Sequence, residues 1–346
     1  MSPSVLDRLP PDQRERLGPA ASTRSGQVAE QPMLAVLSDR RSFDDHWLFE
    51  RKLDGVRALA TREGSQTRLF SRGGLSRERT YPELVEALEA QTCSDFTVDG
   101  EIVAMRNGRT DFSLLQQRSG LTEARADSAT SVPVFYYLFD LLRLDGQDTS
   151  RLPLRVRKRV LRDVFAYRDP LRFSTHRNQW SAELLDDACA RGWEGLIAKR
   201  ADAPYAHRRS TDWLKLKCGG GQELVIGGFT EPTGSRVGFG ALLLGYYDQG
   251  RLRYAGRVGT GYDQRTLREL RGRLERLRTE RSPFDEAVRE RAAHWVRPEL
   301  VAQVGFTEWT RAGRLRHPRF LGLRDDKRPA DVARERPGRE RSEAGS

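Results

Sequence analysis

A chain of 346 residues is long for one compact domain and comfortable for two, and its 37% hydrophobic residues suffice for ordinary cores. The sequence holds no run of eighteen apolar residues and no apolar N-terminal signal segment, which excludes a helical membrane span and a secretory leader and predicts a cytoplasmic protein. Sixty Lys and Arg against 49 Asp and Glu leave a net charge of +11, which favours polyanionic partners such as nucleic acid, although genomic base composition also enriches arginine.

In chain order, residues 1–31 mix Pro, Gly, Ser and Arg without periodicity and read as a flexible leader with one short helix near 12–17. The runs "HWLFERKL", "ALATREG" and "TRLFSRGG" read as strands separated by turns. Thr80 is the expected N-cap of a helix over "YPELVEALEA", with Leu84, Val85 and Leu88 on one face. "FTVDGEIVAM" alternates as a strand does, and "VPVFYYLFDLL" is apolar enough to be buried on both faces. Helices fit 154–165 and 182–191, the second with Ser181 as N-cap and Gly192 as terminator, before the strands "GLIAKR" and "WLKLK".

The glycine run Gly219–Gly221 predicts a break and a hinge between two domains. Beyond it lie short strands, Gly-rich turns and one arginine-rich helix whose Leu267, Leu270, Leu274 and Leu277 form a core-facing stripe. About a hundred residues of this texture suit a small, partly open barrel of the OB type. The expected organisation is a leader over 1–31, a first domain over 32–218, the hinge at 219–221, the barrel over 222–327 and a disordered basic tail over 328–346. Cys93, Cys189 and Cys218 are odd in number and scattered, so neither a disulfide framework nor a zinc pattern is expected, which fits a reducing compartment.

The chemistry concentrates in a few segments. Lys52 opens the run Lys52-Leu53-Asp54-Gly55-Val56-Arg57; burial or neighbouring cations can make a lysine amine nucleophilic, and Gly55 lets the chain turn beside a phosphate. Alone, such a run reads equally as a solvated turn. Arg72 in "SRGG" stands at a strand end suited to a ribose or phosphate. Asp99 and Glu101 share a strand face, where Glu101 could hold a ribose hydroxyl or a metal-bound water. Phe139 offers a stacking surface for a base or a core aromatic, and Glu194 is a candidate Mg²⁺ position or an exposed turn residue. In "WLKLK", Trp213, Lys215 and Lys217 take one face while Leu214 and Leu216 take the other; two neighbouring lysines on a rigid strand call for an anion between them. Each segment taken singly also fits a solvated surface.

Taken together and in this order, "KLDGVR", "SRGG", "LFDLL", "EGLIAK", "LKLK" and "RDDK" (324–327) resemble the six motifs of the covalent nucleotidyltransferases, which comprise ATP-dependent DNA ligases, RNA ligases and mRNA capping enzymes. "PMLAVL" (32–37) and the segments "IGGFTEPTGSRVGFGALLLGYYD", "LRYAGRVGTGYD" and "FTEWTRAGRLRHPRFLGLRDDK" further resemble the ligase domain of the bacterial multifunctional DNA ligase D, so the similarity spans about 32–327. The resemblance implies an α+β fold: an adenylation domain of antiparallel sheets with flanking helices, followed by a smaller OB-fold barrel.

It also implies that Lys52 attacks the α-phosphate of ATP to form lysyl–AMP, that AMP passes to a DNA 5′-phosphate, and that the 3′-hydroxyl then seals the nick. Carried over position by position, Glu50 meets the adenine amino group; Arg57, Arg72 and Glu101 surround the ribose; Phe139 stacks on the base; Glu194, with Glu101, serves Mg²⁺ (or Mn²⁺). Lys215 and Lys217 grip the α-phosphate, and Arg324 and Lys327 orient the departing pyrophosphate.

A clamping N-terminal domain has no room in 1–31, and the polymerase and phosphoesterase modules usual in DNA ligase D do not fit, so a stand-alone ligase is expected. NAD-dependent ligases need a four-cysteine zinc module, which three scattered cysteines exclude. The implied partners are nicked duplex DNA, the end-binding protein Ku and a separate repair polymerase, for a monomer at the bacterial nucleoid with no membrane contact. The alternatives are an RNA ligase, a capping-type nucleotidyltransferase, or a non-catalytic OB-type nucleic-acid-binding protein.

Overall fold

The computed structural model describes residues 4–20, 31–119, 132–232 and 237–336. The chain divides into two compact units, with the boundary between Cys218 and Gly219. Each is mixed α+β, with mostly antiparallel sheets.

Two sheets build the first unit. The strands of interest are β1 (Leu34–Leu37), β2 (Trp47–Arg51), β3 (Val56–Glu63), β4 (Gln66–Ser71), β5 (Asp95–Arg106), β6 (Val134–Leu144), β7 (His176–Arg177), β8 (Gly195–Arg200) and β9 (Arg209–Lys217). The larger sheet runs β6-β5-β3-β4, extended beyond β6 by two-residue strands. The smaller runs β7-β2-β8-β9-β1, antiparallel except for β9 beside β1. Both take the alternation written in the sequence: Trp47, Phe49, Leu196, Ala198, Leu214 and Leu216 form one buried face of the smaller sheet.

Helices cover the outer faces. α1 (Pro82–Glu89) and α2 (Leu154–Val164) pack Leu84, Leu88, Val156, Val160 and Leu161 into the core of the larger sheet. α3 (Glu183–Ala190) sets Leu184, Leu185 and Ala188 against the smaller one. A third cluster, Met33, Leu59, Phe139, Leu142, Tyr205 and Trp213, joins residues of both sheets, so their remaining faces confront each other across a cleft. Each fully buried leucine contributes about 2 kcal/mol to this packing.

The second unit, Gly219–Glu335, holds β10 (Gly220–Thr230), β11 (Leu242–Asp248), β12 (Arg251–Val258), α4 (Gln264–Arg276), β13 (Ala293–Phe306) and β14 (Arg319–Leu323). Its sheet runs β12-β11-β10-β13, with β14 also on β13 and an open path rather than a closed ring among the described residues. Leu267, Leu270 and Leu274 of α4 enter its core, as their spacing predicts.

Several expectations are corrected. The leader is partly structured: Val5–Arg8 forms a 3-10 turn capped by Ser4, Pro11–Arg14 a short helix, and Leu6 and Leu9 are buried in the main core; 21–30 lie outside the described residues. Tyr81, not Thr80, is the N-cap of α1, and Ala182, not Ser181, that of α3. The glycine run is a break only in part: Gly219 lies in the bend between β9 and β10, whereas Gly220 and Gly221 pair with Phe306 and Gly305 inside β10. A Cβ at Gly220 would sit 2.4 Å from the Phe306 carbonyl oxygen, so close strand approach accounts for this glycine. The tail begins ordered: Val332 is buried and Ala333 bridges to Tyr247, while 337–346 lie outside the described residues. Finally, Cys189 and Cys218 form a disulfide with a Cα–Cα distance of 5.2 Å, between the end of α3 and the residue after β9. Sequence separation hid this pair; the packing of α3 under β8 and β9 brings it together.

Candidate active site

The register of the smaller sheet assembles the cleft face row by row. Lys215 pairs with Ile197, Ile197 with Glu50 and Glu50 with His176, so these four side chains share one face. In the next row Lys217 pairs with Gly195, and the Lys52 amide donates to the Gly195 carbonyl at 2.9 Å. A third row sets Lys199 beside Trp213. The sequence therefore brings Glu50, Lys52, Lys215 and Lys217 to one surface, with Leu214 and Leu216 turned away into the core.

Lys52 Nζ lies 2.5 Å from Glu194 Oε2, with its side chain 18% exposed. Burial disfavours the ammonium, but Glu194, helped by Asp54 and Glu101, more than offsets it and holds the lysine above its ordinary pKa. In this arrangement Lys52 is a paired cation. Gly55, expected to admit a phosphate, is buried against β5: a Cβ there would meet the Ile102 carbonyl oxygen at 2.2 Å. Only glycine lets the lysine turn dock on that strand.

The larger sheet supplies the facing wall. Arg57 pairs with Glu101 across β3 and β5, and the Arg72 amide donates to the Arg57 carbonyl, which groups the three expected ribose residues. The Arg57 guanidinium donates to both Asp99 oxygens at 2.5 Å and to the Met33 carbonyl at 3.1 Å. Burial disfavours that cation, yet Asp99 overrides it and raises the arginine pKa. The Tyr205 hydroxyl donates to Asp99 Oδ2 at 2.6 Å and accepts from the Met33 amide at 2.8 Å. This explains the "PMLAVL" segment physically: it ties Arg57 in place.

Phe139 owes its direction to a bulge. Asp99 pairs with Asp140 and Gly100 with Leu138, which leaves Phe139 as the extra residue. Its ring meets Trp213 edge-on at 5.9 Å and carries the Arg57 guanidinium at 4.7 Å and Lys199 Nζ at 4.2 Å from its centroid. Beneath it the neighbouring Asp140 forms a fully buried two-pronged pair with Arg157 of α2.

Glu50 is buried and accepts from three donors. Lys158 Nζ reaches Oε1 at 2.7 Å, while Ser174 Oγ and Lys199 Nζ reach Oε2 at 2.9 and 3.1 Å. Burial opposes the charge, but both lysines and their hydrogen bonds hold the carboxyl down at about 2. Burial in turn brings Lys199 down to about 8 and, with Lys158 nearby, His176 to about 4.

Sequence reasoning missed Lys158, Ser174, Lys199, Tyr205 and Arg157. A signal existed for two of them: Arg157 and Lys158 stand on the same helical stripe as Leu154 and Leu161, where a cation is buried and must be paired.

Arg324 and Lys327 belong to the second unit. Arg324, expected as a pyrophosphate ligand, is instead buried with Nε and Nη2 both donating to Asp326 at 2.8 Å. Such a clasp shapes the turn that presents Lys327, whose Nζ lies 2.9 Å from Glu223 Oε1. For metal, the described residues hold no group of three His, Cys, Asp or Glu side chains; magnesium sites often use one or two carboxylates together with substrate phosphates. Glu194 and Glu101 fit that pattern.

Residues 32–217 match the ATP dependent DNA ligase domain, and residues 235–327 the ATP dependent DNA ligase C terminal region. The chain is 40% identical over 300 residues to the multifunctional non-homologous end joining protein LigD of Pseudomonas aeruginosa, covering 84% of this chain and 35% of that protein. It is 33% identical over 335 residues to a probable DNA ligase of Anaeromyxobacter dehalogenans, covering 92% and 63%. A solved structure of mycobacterial DNA ligase D complexed with ATP and MES aligns at a TM-score of 0.63 and 34% identity, covering 88% of this chain and 98% of that one. The chain thus spans about a third of the length of the multifunctional relatives.

Proposed function

Because the chain belongs to the ATP-dependent DNA ligase family, we propose that Lys52 takes AMP from ATP and hands it to a DNA 5′-phosphate, from which the 3′-hydroxyl displaces AMP to seal the nick. The observation that carries this reading is the placement of Lys52 on one sheet face with Lys215 and Lys217, its amine against Glu194 at 2.5 Å.

Lys52 must first lose a proton, and Glu194 is the acceptor in contact with it. The amine then attacks the α-phosphorus; the nitrogen–phosphorus bond forms as the bond to the β-phosphate oxygen breaks, and pyrophosphate leaves. Lys215 and Lys217 offset the charge gathering on the α-phosphate. Phe139 takes the base, Glu50 its amino group, and Arg57, Arg72 and Glu101 the ribose. Glu194 and Glu101 would hold Mg²⁺ (or Mn²⁺), which would supply positive charge against the phosphates. Lys327, set by the Arg324–Asp326 clasp, meets the pyrophosphate.

The wider setting is end-joining repair, as the names of the multifunctional relatives suggest, with nicked DNA, Ku and a separate polymerase as partners of a monomer at the nucleoid. Among the described residues no helix is long and apolar enough to cross a membrane.

Incubation with α-labelled ATP and Mg²⁺ tests the reading. Acid-labile label on the wild type and none on Lys52→Ala is expected; label undiminished in the variant overturns the mechanism, and preferential labelling by GTP favours the capping-type alternative.

A further inference from the structure

Glu50 is held by more charge than it needs. Lys199 already neutralises it, at 3.1 Å from Oε2. Lys158, 1% exposed, brings a second buried cation 2.7 Å from Oε1, and its Nζ also donates to the Ser174 carbonyl at 2.9 Å. His176, the direct cross-strand neighbour of Glu50, stays neutral well below its ordinary pKa, and its Nδ1 has no partner. Burying an extra ammonium is costly, and apolar side chains of similar volume often stabilise a core as well, so charge balance and stability do not account for Lys158.

Geometry does. A carboxylate offers about four acceptor positions, and Lys158, Ser174 and Lys199 fill three of them. With Oε2 doubly engaged and Oε1 singly, the group cannot rotate without losing a donor. One acceptor position, on Oε1, is left for a ligand.

We infer that Lys158 is a positioning residue for base selection: it locks the Glu50 carboxylate so that its one remaining lone pair accepts an exocyclic amino group and repels a carbonyl at the same position. This rests on the reading that Glu50 faces the base, and it adds what makes Glu50 selective. An adenine amino group donates to that lone pair. The carbonyl of hypoxanthine or guanine sets oxygen against oxygen in a buried site, where an unmatched polar contact is most costly. Ser174 supports the same lock from the other oxygen.

The test compares ATP with ITP, whose base differs by a carbonyl in place of the amino group. Self-nucleotidylation kcat/KM is measured for both in the full chain and in Lys158→Met, Ser174→Ala and Glu50→Gln. The wild type prefers ATP, and Lys158→Met loses roughly tenfold or more of that preference, the worth of one charge-assisted hydrogen bond. The loss lies mainly in KM for ATP, which a general loss of folded protein would not produce. Ser174→Ala removes one donor and no charge, shifts the ratio the same way by less, and decides the matter if Lys158→Met does not fold. Glu50→Gln, whose amide presents either a donor or an acceptor, loses the preference altogether. An unchanged ratio in Glu50→Gln overturns the base-contact reading itself. Loss in Glu50→Gln with an unchanged ratio in both other variants overturns the role of Lys158 alone.

Discussion

Lys52 and Glu194 hold each other's charge, and that reciprocity governs reactivity. The pairing raises the lysine pKa, so across pH 7–9 only the small neutral fraction is nucleophilic, and that fraction grows about tenfold per pH unit. Removing the carboxylate charge lowers the lysine pKa. Glu194→Gln is therefore expected to label faster at Lys52 with an amine-directed reagent at pH 8, read by peptide mass, while adenylation by ATP falls by about 100-fold or more. Equal reagent rates in both proteins would mean that Glu194 does not set the charge of Lys52. At this scale the sequence was legible wherever side chains alternate along one strand: Lys215 and Lys217 share a face because of period two alone. Lys158 and Tyr205 were not, since they reach the cleft from a helix and a loop distant in the chain, and no local pattern encodes such meetings.

Among the elements, α2 does the most to shape the cleft wall. Arg157 donates to both Asp140 oxygens and to the carbonyls of Leu152 and Ala203, with no exposure of either partner of the ion pair. That anchor fixes the strand segment in which Phe139 bulges outward. Arg157→Met leaves Asp140 charged, buried and unpaired, and is expected to destabilise the protein by about 3–5 kcal/mol in urea unfolding. A loss below about 1 kcal/mol would show that water or another donor replaces the guanidinium. Strands and helices were mostly read correctly from periodicity, whereas caps were not: Tyr81 and Ala182 precede their helices without a side-chain hydrogen bond, so the polar residue beside each misleads. The glycine run stands at the boundary between the two units, yet two of its three members also belong to a strand. Glycine marks close approach as readily as it marks a break, and only the partner strand tells which.

For the whole molecule, the division at Cys218 and the net charge of +11 are what the sequence makes plain, and the covalent tie between Cys189 and Cys218 is what it conceals. The charge predicts that binding to a nicked duplex weakens linearly in log–log salt titrations, with a slope of about −0.9 per phosphate neutralised. Binding indifferent to salt would contradict the reading of a basic DNA-facing protein. The disulfide encloses the loop that carries Glu194, since the Cys218 amide also donates to the Glu194 carbonyl at 3.1 Å.

One detail of β9 bears on how such a chain can change over generations. Its pairing with β1 skips from Ser210 to Leu214, so slack already exists on the early side of the strand. A residue gained or lost there can be taken up by the bulge. The same event between Leu214 and Lys217 would reverse the residues on one side of it, turning a lysine into the core or a leucine out of it. A point substitution alters one contact at a time, but a change in the length of this short stretch alters several at once.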